Sequence, residues 1–201
     1  MGDRDGLILD YGGVLTSDPF ASFEAFAAAE RLAPDTVRKR LRDDPQARAL
    51  LARLETGALP PHEFEVAFGA LLGVPPGALL HRMFGGMEPA TAMIDGIRAL
   101  RRDGLRIGLL SNSVGGTGYD RALLAELFDA VVISGEVGLR KPDPAIYELA
   151  AERLGRAPAA CVYVDDIGSN LKPAAALGMA TVLHRGDAAA TLAEIARLLA
   201  C

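Results

Sequence analysis

Five short stretches of near-continuous apolar residues punctuate the chain, at positions 6–9, 105–110, 130–133, 162–164 and 180–183. Each is too short for a buried helix, and none alternates as a half-exposed strand does. The pattern predicts parallel strands covered on both faces. Between these stretches the apolar positions recur at helical spacing. Residues 93–100 precede the second strand, 119–128 the third, 144–154 the fourth and 171–177 the fifth, and a last helix follows over 188–199. Strand and helix alternate, which predicts an α/β domain of three layers, a Rossmann-like parallel sheet between helices.

The span from Phe20 to about Glu88 breaks this alternation. It carries no strand pattern, only helical ones interrupted by Pro34, Pro45, Pro60-Pro61 and Pro75-Pro76. Phe23, Phe26, Ala27 and Glu30 have helical spacing, as do Phe64, Phe68, Leu71 and Leu72. The expectation is an all-α cap over residues 17–88, inserted into an α/β core made of residues 1–16 and 89–201. Most of the phenylalanines read as core of that helical insertion. Phe20, nearest the first strand's end, is the one best placed to meet a ligand.

Composition narrows the class. The 201 residues suffice for one sizeable core with a small insertion. Half are hydrophobic and 23% charged, with a net charge of −5. No basic stripe suggests nucleic acid, and no apolar run approaches the about 18 residues of a membrane span. Asp10 interrupts the one apolar run near the N-terminus, so no signal peptide is expected. The two cysteines, Cys161 and Cys201, form no metal or disulfide pattern, and the expected location is the cytoplasm. His62, His81 and His184 lack metal-ligand spacing and read as structural or exposed. The Gly115-Gly116-Thr117-Gly118 run lacks a Walker lysine and reads as a loop.

The candidate chemistry sits where the strands end. Leu7-Ile8-Leu9 delivers Asp10 into Tyr11-Gly12-Gly13, a mount for a nucleophilic carboxylate. The second strand runs into Ser111 and Asn112. Lys141 stands before Pro142-Asp143-Pro144, where proline marks a helix start. The fourth strand runs into Asp165-Asp166, with Asn170 four residues on. Singly, each has a bland reading: a Lys before Pro is often solvated, and Ser-Asn or Asp-Asp often caps a helix. Four such groups in this order, with Asp10 among them, favour a catalytic reading.

In that order they resemble the four motifs of the haloacid dehalogenase-like hydrolase superfamily, over nearly the whole chain. The stretch from Val162 to Ala174 is similar to the N-terminal phosphatase domain of soluble epoxide hydrolases. Asp10-Tyr11-Gly12-Gly13-Val14-Leu15 looks more like the related domain of a multidomain acyl-CoA dehydrogenase. The resemblance implies a Mg²⁺-dependent phosphatase of small phosphorylated molecules, working through an aspartyl-phosphate. Asp10 would be the nucleophile. Ser111, Asn112 and Lys141 would bind the phosphoryl group. Asp10, the Gly12 carbonyl, Asp166 and, directly or through water, Asp165 would hold Mg²⁺. Asn170 would support the acidic loop. The substrate and the oligomeric state leave no readable trace.

Gly12 departs from the family pattern, in which an Asp at that place protonates the leaving group. General acid–base catalysis is worth about 10²–10⁴-fold. Asp18, eight residues after Asp10, is one replacement, though a hinge role fits it as well. Two alternatives stay open. A 2-haloacid dehalogenase needs no acid, because halide departs unprotonated. A binding or regulatory protein could keep the fold without turnover.

Overall fold

The computed structural model describes residues 4–101, 104–114 and 118–200. Arg102, residues 115–117 of the glycine-rich loop, and Cys201 lie outside the described residues. Five strands form one wholly parallel sheet: β1 (Gly6–Leu9), β2 (Arg106–Ser111), β3 (Ala130–Ile133), β4 (Cys161–Asp165) and β5 (Ala180–Leu183). Their spatial order is β3-β2-β1-β4-β5. The three-layer α/β core expected from the sequence is therefore present. β1 lies at the centre, paired on one side with β2 (Leu9 opposite Leu109) and on the other with β4 (Leu9 opposite Val164). The chain reverses its direction of travel across the sheet between β1 and β4, the place where open α/β sheets form their ligand crevice.

Side chains alternate across the sheet, as strand geometry requires. Leu7 and Leu9 of β1 and Ile107 and Leu109 of β2 pack on one face, against α6 (Thr91–Leu100), α7 (Arg121–Leu127) and α11 (Ala188–Leu199). Ile8, Leu110 and Tyr163 pack on the other, against α9 (Pro144–Leu154) and α10 (Gly168–Ala176). Two strands run one polar residue beyond their apolar stretch. Ser111 stays in register opposite Ile133, and Asp165 opposite Leu183. The sheet itself thus carries the first hydroxyl and the first carboxylate into the crevice. α10 begins at Gly168, three residues before its apolar pattern, and so starts directly after the acidic pair.

Between β1 and α6 the chain forms α1 (Pro19–Ala29), α2 (Thr36–Asp43), α3 (Pro45–Glu55), α4 (Pro61–Leu72) and α5 (Leu79–Phe84). Prolines open α1, α3 and α4, where the missing N–H costs nothing. Asp18 and Asp44 cap α1 and α3 by accepting from backbone amides. Phe23, Phe26, Phe64, Phe68, Leu79 and Met83 form a core of their own. Phe20 is only half-buried, and the Arg38 guanidinium lies over its ring at 4.6 Å. The chain leaves and re-enters the α/β layers through two adjacent segments. Thr16 bridges Pro89, and Ser17 N donates to Glu88 O at 2.7 Å. Among the described residues no helix is long and apolar enough to cross a membrane.

Candidate active site

Asp10 is the first residue beyond β1 and still belongs to its ladder, its N–H donating to Val164 O at 2.9 Å. Asp10 is 6% exposed, and its carboxylate accepts from the Tyr11 amide at 2.7 Å. The following turn closes through Leu15 N to Tyr11 O at 2.8 Å. The two glycines in it are under different demands. Gly13 has φ +71°, and a β-carbon there would overlap the Asp166 carboxylate. Only glycine lets the turn and the acidic loop approach this closely. At Gly12 φ is not positive, and a β-carbon would meet only Pro19 Cγ, at 3.5 Å. Backbone geometry therefore does not forbid a side chain at Gly12.

Lys141 reaches this carboxylate from the segment before α9. Its Nζ lies 2.8 Å from Asp10 Oδ1 and 2.8 Å from Asp165 Oδ2, and the side chain is fully buried. Asn112 brackets the Lys141 peptide. Its Oδ1 accepts from Lys141 N at 2.8 Å, and its Nδ2 donates to Lys141 O at 3.1 Å. Nδ2 also faces Glu55 Oε2 at 3.4 Å. The amide donors that the sequence offered to a phosphoryl group are thus turned onto protein acceptors. Ser111 Oγ, by contrast, shares a hydrogen bond of 2.8 Å with the Tyr119 hydroxyl, and a hydroxyl keeps further donor and acceptor capacity.

The two acids at the end of β4 are unlike each other. Asp165 is buried and its oxygens are saturated: Oδ2 accepts from Lys141 Nζ, the Tyr163 hydroxyl and Asn170 Nδ2, while Oδ1 accepts from Ile167 N at 2.8 Å and Asn170 Nδ2 at 3.1 Å. Asp166 Oδ1 is buried with no hydrogen-bond partner among the described residues. Oxygens of Asp10, Asp165 and Asp166 all lie within 4.8 Å of one another. Three carboxylates thus face one ammonium. Burial pushes the Asp10 carboxyl up to about 8; Asp165 and Asp166 add to the rise, and Lys141 opposes it. Burial, then Asp165, raises Asp166 to about 6. Burial disfavours the Lys141 ammonium, but Asp10 and Asp165 outweigh it and hold the proton above the usual lysine range. An all-oxygen cluster with surplus negative charge and an unpartnered carboxylate oxygen suits a hard divalent cation such as Mg²⁺.

The sequence-predicted residues Asp10, Gly12, Ser111, Asn112, Asp165, Asp166 and Asn170 lie at the carboxyl ends of β1, β2 and β4 or in the segments that follow, and Lys141 lies in the segment between β3 and α9. Three contributors escaped the sequence reading. Tyr163 sits inside an apolar strand, yet its hydroxyl is turned to Asp165. Tyr119 lies just before α7 and packs against Tyr11 with the ring planes tilted by 53° and centroids 4.8 Å apart. Glu55 ends an amphipathic helix 85 residues before its partner, Arg140, and no local pattern marks it. Asp18, considered as a replacement acid, accepts from Phe20 N at 2.8 Å as the cap of α1.

The chain is similar to known hydrolases and phosphatases. Bifunctional epoxide hydrolase 2 of Rattus norvegicus is 34% identical over 113 residues, which are 53% of this chain and 20% of the rat protein. The chain thus spans about one fifth of the length of the epoxide hydrolases it matches. Sesquiterpene phosphatase astK of Aspergillus oryzae is 27% identical over 155 residues, 74% of this chain and 79% of that protein. A crystal structure of a HAD family enzyme from Bacteroides thetaiotaomicron, in complex with magnesium and inorganic phosphate, superposes with a TM-score of 0.66 at 20% identity, covering 92% of this chain and 96% of that one. Residues 5–178 match the haloacid dehalogenase-like hydrolase family, and the chain belongs to it.

Proposed function

We propose that this hydrolase is a Mg²⁺-dependent phosphatase that transfers the phosphoryl group of a small phosphate monoester to Asp10. The observation that carries the reading is the unpartnered, buried Asp166 oxygen in the carboxylate cluster beside Asp10 and Lys141. That cluster is built to be completed by a cation and, next to it, a phosphoryl group. The sesquiterpene phosphatase and the magnesium- and phosphate-bound neighbour support the same reading.

Asp10 Oδ1 is held by Lys141 Nζ and the Tyr11 amide, which fixes the plane of the carboxylate for in-line attack. An Asp10 oxygen bonds to phosphorus as the ester P–O bond breaks, and water then cleaves the acyl phosphate to restore Asp10 and release phosphate. Lys141, Ser111 Oγ and the Asn112 main-chain amide bind the phosphoryl oxygens and offset their growing charge. Asp10, the Gly12 carbonyl and Asp166 would hold Mg²⁺, which when bound supplies further charge neutralisation at those oxygens. Asp165 is saturated by protein donors and orients Lys141, so its part in metal binding is indirect. Asn170 holds Asp165 in that pose. With Gly12 in place of an acid, the leaving oxygen departs with little protonation, which favours substrates with weakly basic leaving groups. Residues 17–88 act as a lid that excludes water and selects the leaving group.

The missing acid also favours a 2-haloacid dehalogenase reading, because halide leaves unprotonated. The surplus of carboxylates beside the nucleophile weighs against it. The test is a panel of phosphate esters with and without Mg²⁺, run beside halide release from 2-chloropropionate. Chelator-sensitive phosphate release restored by Mg²⁺ supports the proposal; metal-independent halide release overturns it.

A further inference from the structure

One buried acid at the junction between the helical insertion and the sheet has no part in the chemistry above. Glu55, the last residue of α3, is 7% exposed. A carboxylate so placed must be paired. Its partner is Arg140, whose Nε lies 2.5 Å from Oε2, and the same oxygen faces Asn112 Nδ2 at 3.4 Å. Both partners are handles on Lys141. Arg140 precedes it in the chain, and Asn112 clasps its peptide N–H and carbonyl. The main chain at this corner is docked as well. Ser134 Oγ donates to the Glu55 carbonyl and accepts from Ser113 N at 2.7 Å. Gly57, φ +73°, lies so close to α8 (Ser134–Val137) that a β-carbon on it would sit 2.7 Å from Gly135 O.

We infer that Glu55 is a positioning residue carried by the cap: by gripping Arg140 and Asn112 it sets Lys141 against Asp10 only while the cap is docked. Cap docking and assembly of the phosphoryl-binding site are then a single event. This deepens the phosphatase reading and rests on it. Lys141 is a flexible four-carbon stem, and its Nζ sits 2.8 Å from two carboxylates only if its peptide is held. Without the Glu55 carboxylate, Arg140 loses its counter-charge, Asn112 loses its contact with the cap, and the side-chain tie from α3 to this segment is gone.

The test measures kcat and KM for p-nitrophenyl phosphate with Mg²⁺ in the wild type, Glu55→Gln, Glu55→Ala, Arg140→Ala and the double alanine variant. It also measures the rate of amine labelling at Lys141 by mass spectrometry. A displacement near 1 Å at a reacting group costs about 10²-fold, so kcat of Glu55→Ala should fall about 10- to 100-fold with a smaller change in KM. Glu55→Gln, which keeps an acceptor oxygen, should recover part of the loss. The double variant should be no worse than either single one, and Lys141 should label faster in each. Unchanged kcat with unchanged labelling in Glu55→Ala, or single losses that multiply in the double variant, would overturn the inference. Should Glu55→Ala fail to fold, Glu55→Gln decides by the same two readouts. Should the wild type hydrolyse no phosphate ester, the phosphatase reading fails while the labelling rates still judge the role of Glu55.

Discussion

A single methyl group at Gly13 should separate the fold from the metal site. Gly13→Ala imposes two burdens. The backbone is left-handed, at φ +71°, and the new β-carbon overlaps the Asp166 carboxylate. Left-handed geometry costs a non-glycine residue about 1–2 kcal/mol, offset by about 0.4–1 kcal/mol from the stiffer unfolded chain. Gly155 isolates that first burden. It ends α9 at φ +72° with no atom within 4 Å of a built β-carbon. Both variants should therefore lose about 1 kcal/mol in urea unfolding without metal. The collision adds little to this loss, because swinging Asp166 outward also relieves its repulsion with Asp165. Its effect falls on Mg²⁺. At a hundred times Kd, a ligand stabilises the folded state by about 2.7 kcal/mol. Wild type and Gly155→Ala should show a shift of this kind on adding Mg²⁺, and Gly13→Ala should show almost none and little turnover. A Gly13→Ala protein with the wild-type Mg²⁺ shift and activity would refute the argument that this turn seats Asp166 for a cation.

Protons and Mg²⁺ should compete for the same carboxylates. The Asp10 carboxyl is raised to about 8, chiefly by burial, and Asp166 to about 6. A raised acid favours folding while protonated, so in metal-free protein this contribution is full below the ordinary carboxylate range and is lost as pH rises toward 8. Stabilisation by Mg²⁺ should therefore grow between pH 6 and 8, with proton release on binding by calorimetry; a pH-independent Mg²⁺ affinity would contradict it. Gly12→Asp should fold, since only Pro19 Cγ approaches that site, and should help alkyl phosphates more than aryl ones. The check is the slope of log kcat/KM against leaving-group pKa in both proteins, and equal slopes would show that position 12 does not govern leaving-group protonation. Tyr119→Phe frees the Ser111 hydroxyl from its 2.8 Å partner and should raise KM for phosphate esters more than it lowers kcat; unchanged steady-state constants would remove Tyr119 from the site.

The layers of the fold were legible because strands buried on both faces leave an unmistakable trace, runs such as Leu7-Ile8-Leu9 with no polar interruption. The polar ends of those strands were harder to read. Ser111 and Asp165 look like loop residues by pattern, but their partners Ile133 and Leu183 hold them in the ladder. Candidates for the site were readable because chemistry concentrates where parallel strands stop. Their division of labour was not. Asp165 and Asp166 are indistinguishable in sequence. Which one has its oxygens filled depends on Lys141, Tyr163 and Asn170, residues that the fold alone brings together. Glu55 was invisible for a related reason. On α3 it reads as one more charge on an amphipathic helix, and only the docking of that helix at Ser134 and Arg140 buries it.

Everything proposed for this site turns on whether Asp10 accepts the phosphoryl group. The direct measurement is acid quenching of the protein during turnover of p-nitrophenyl phosphate with Mg²⁺, followed by peptide mass spectrometry. One added phosphoryl group is expected on the peptide bearing Asp10, lost on treatment with hydroxylamine and absent from folded Asp10→Asn. Phosphate release by a folded Asp10→Asn protein at the wild-type rate, or a phosphoryl group trapped on another residue, would contradict it.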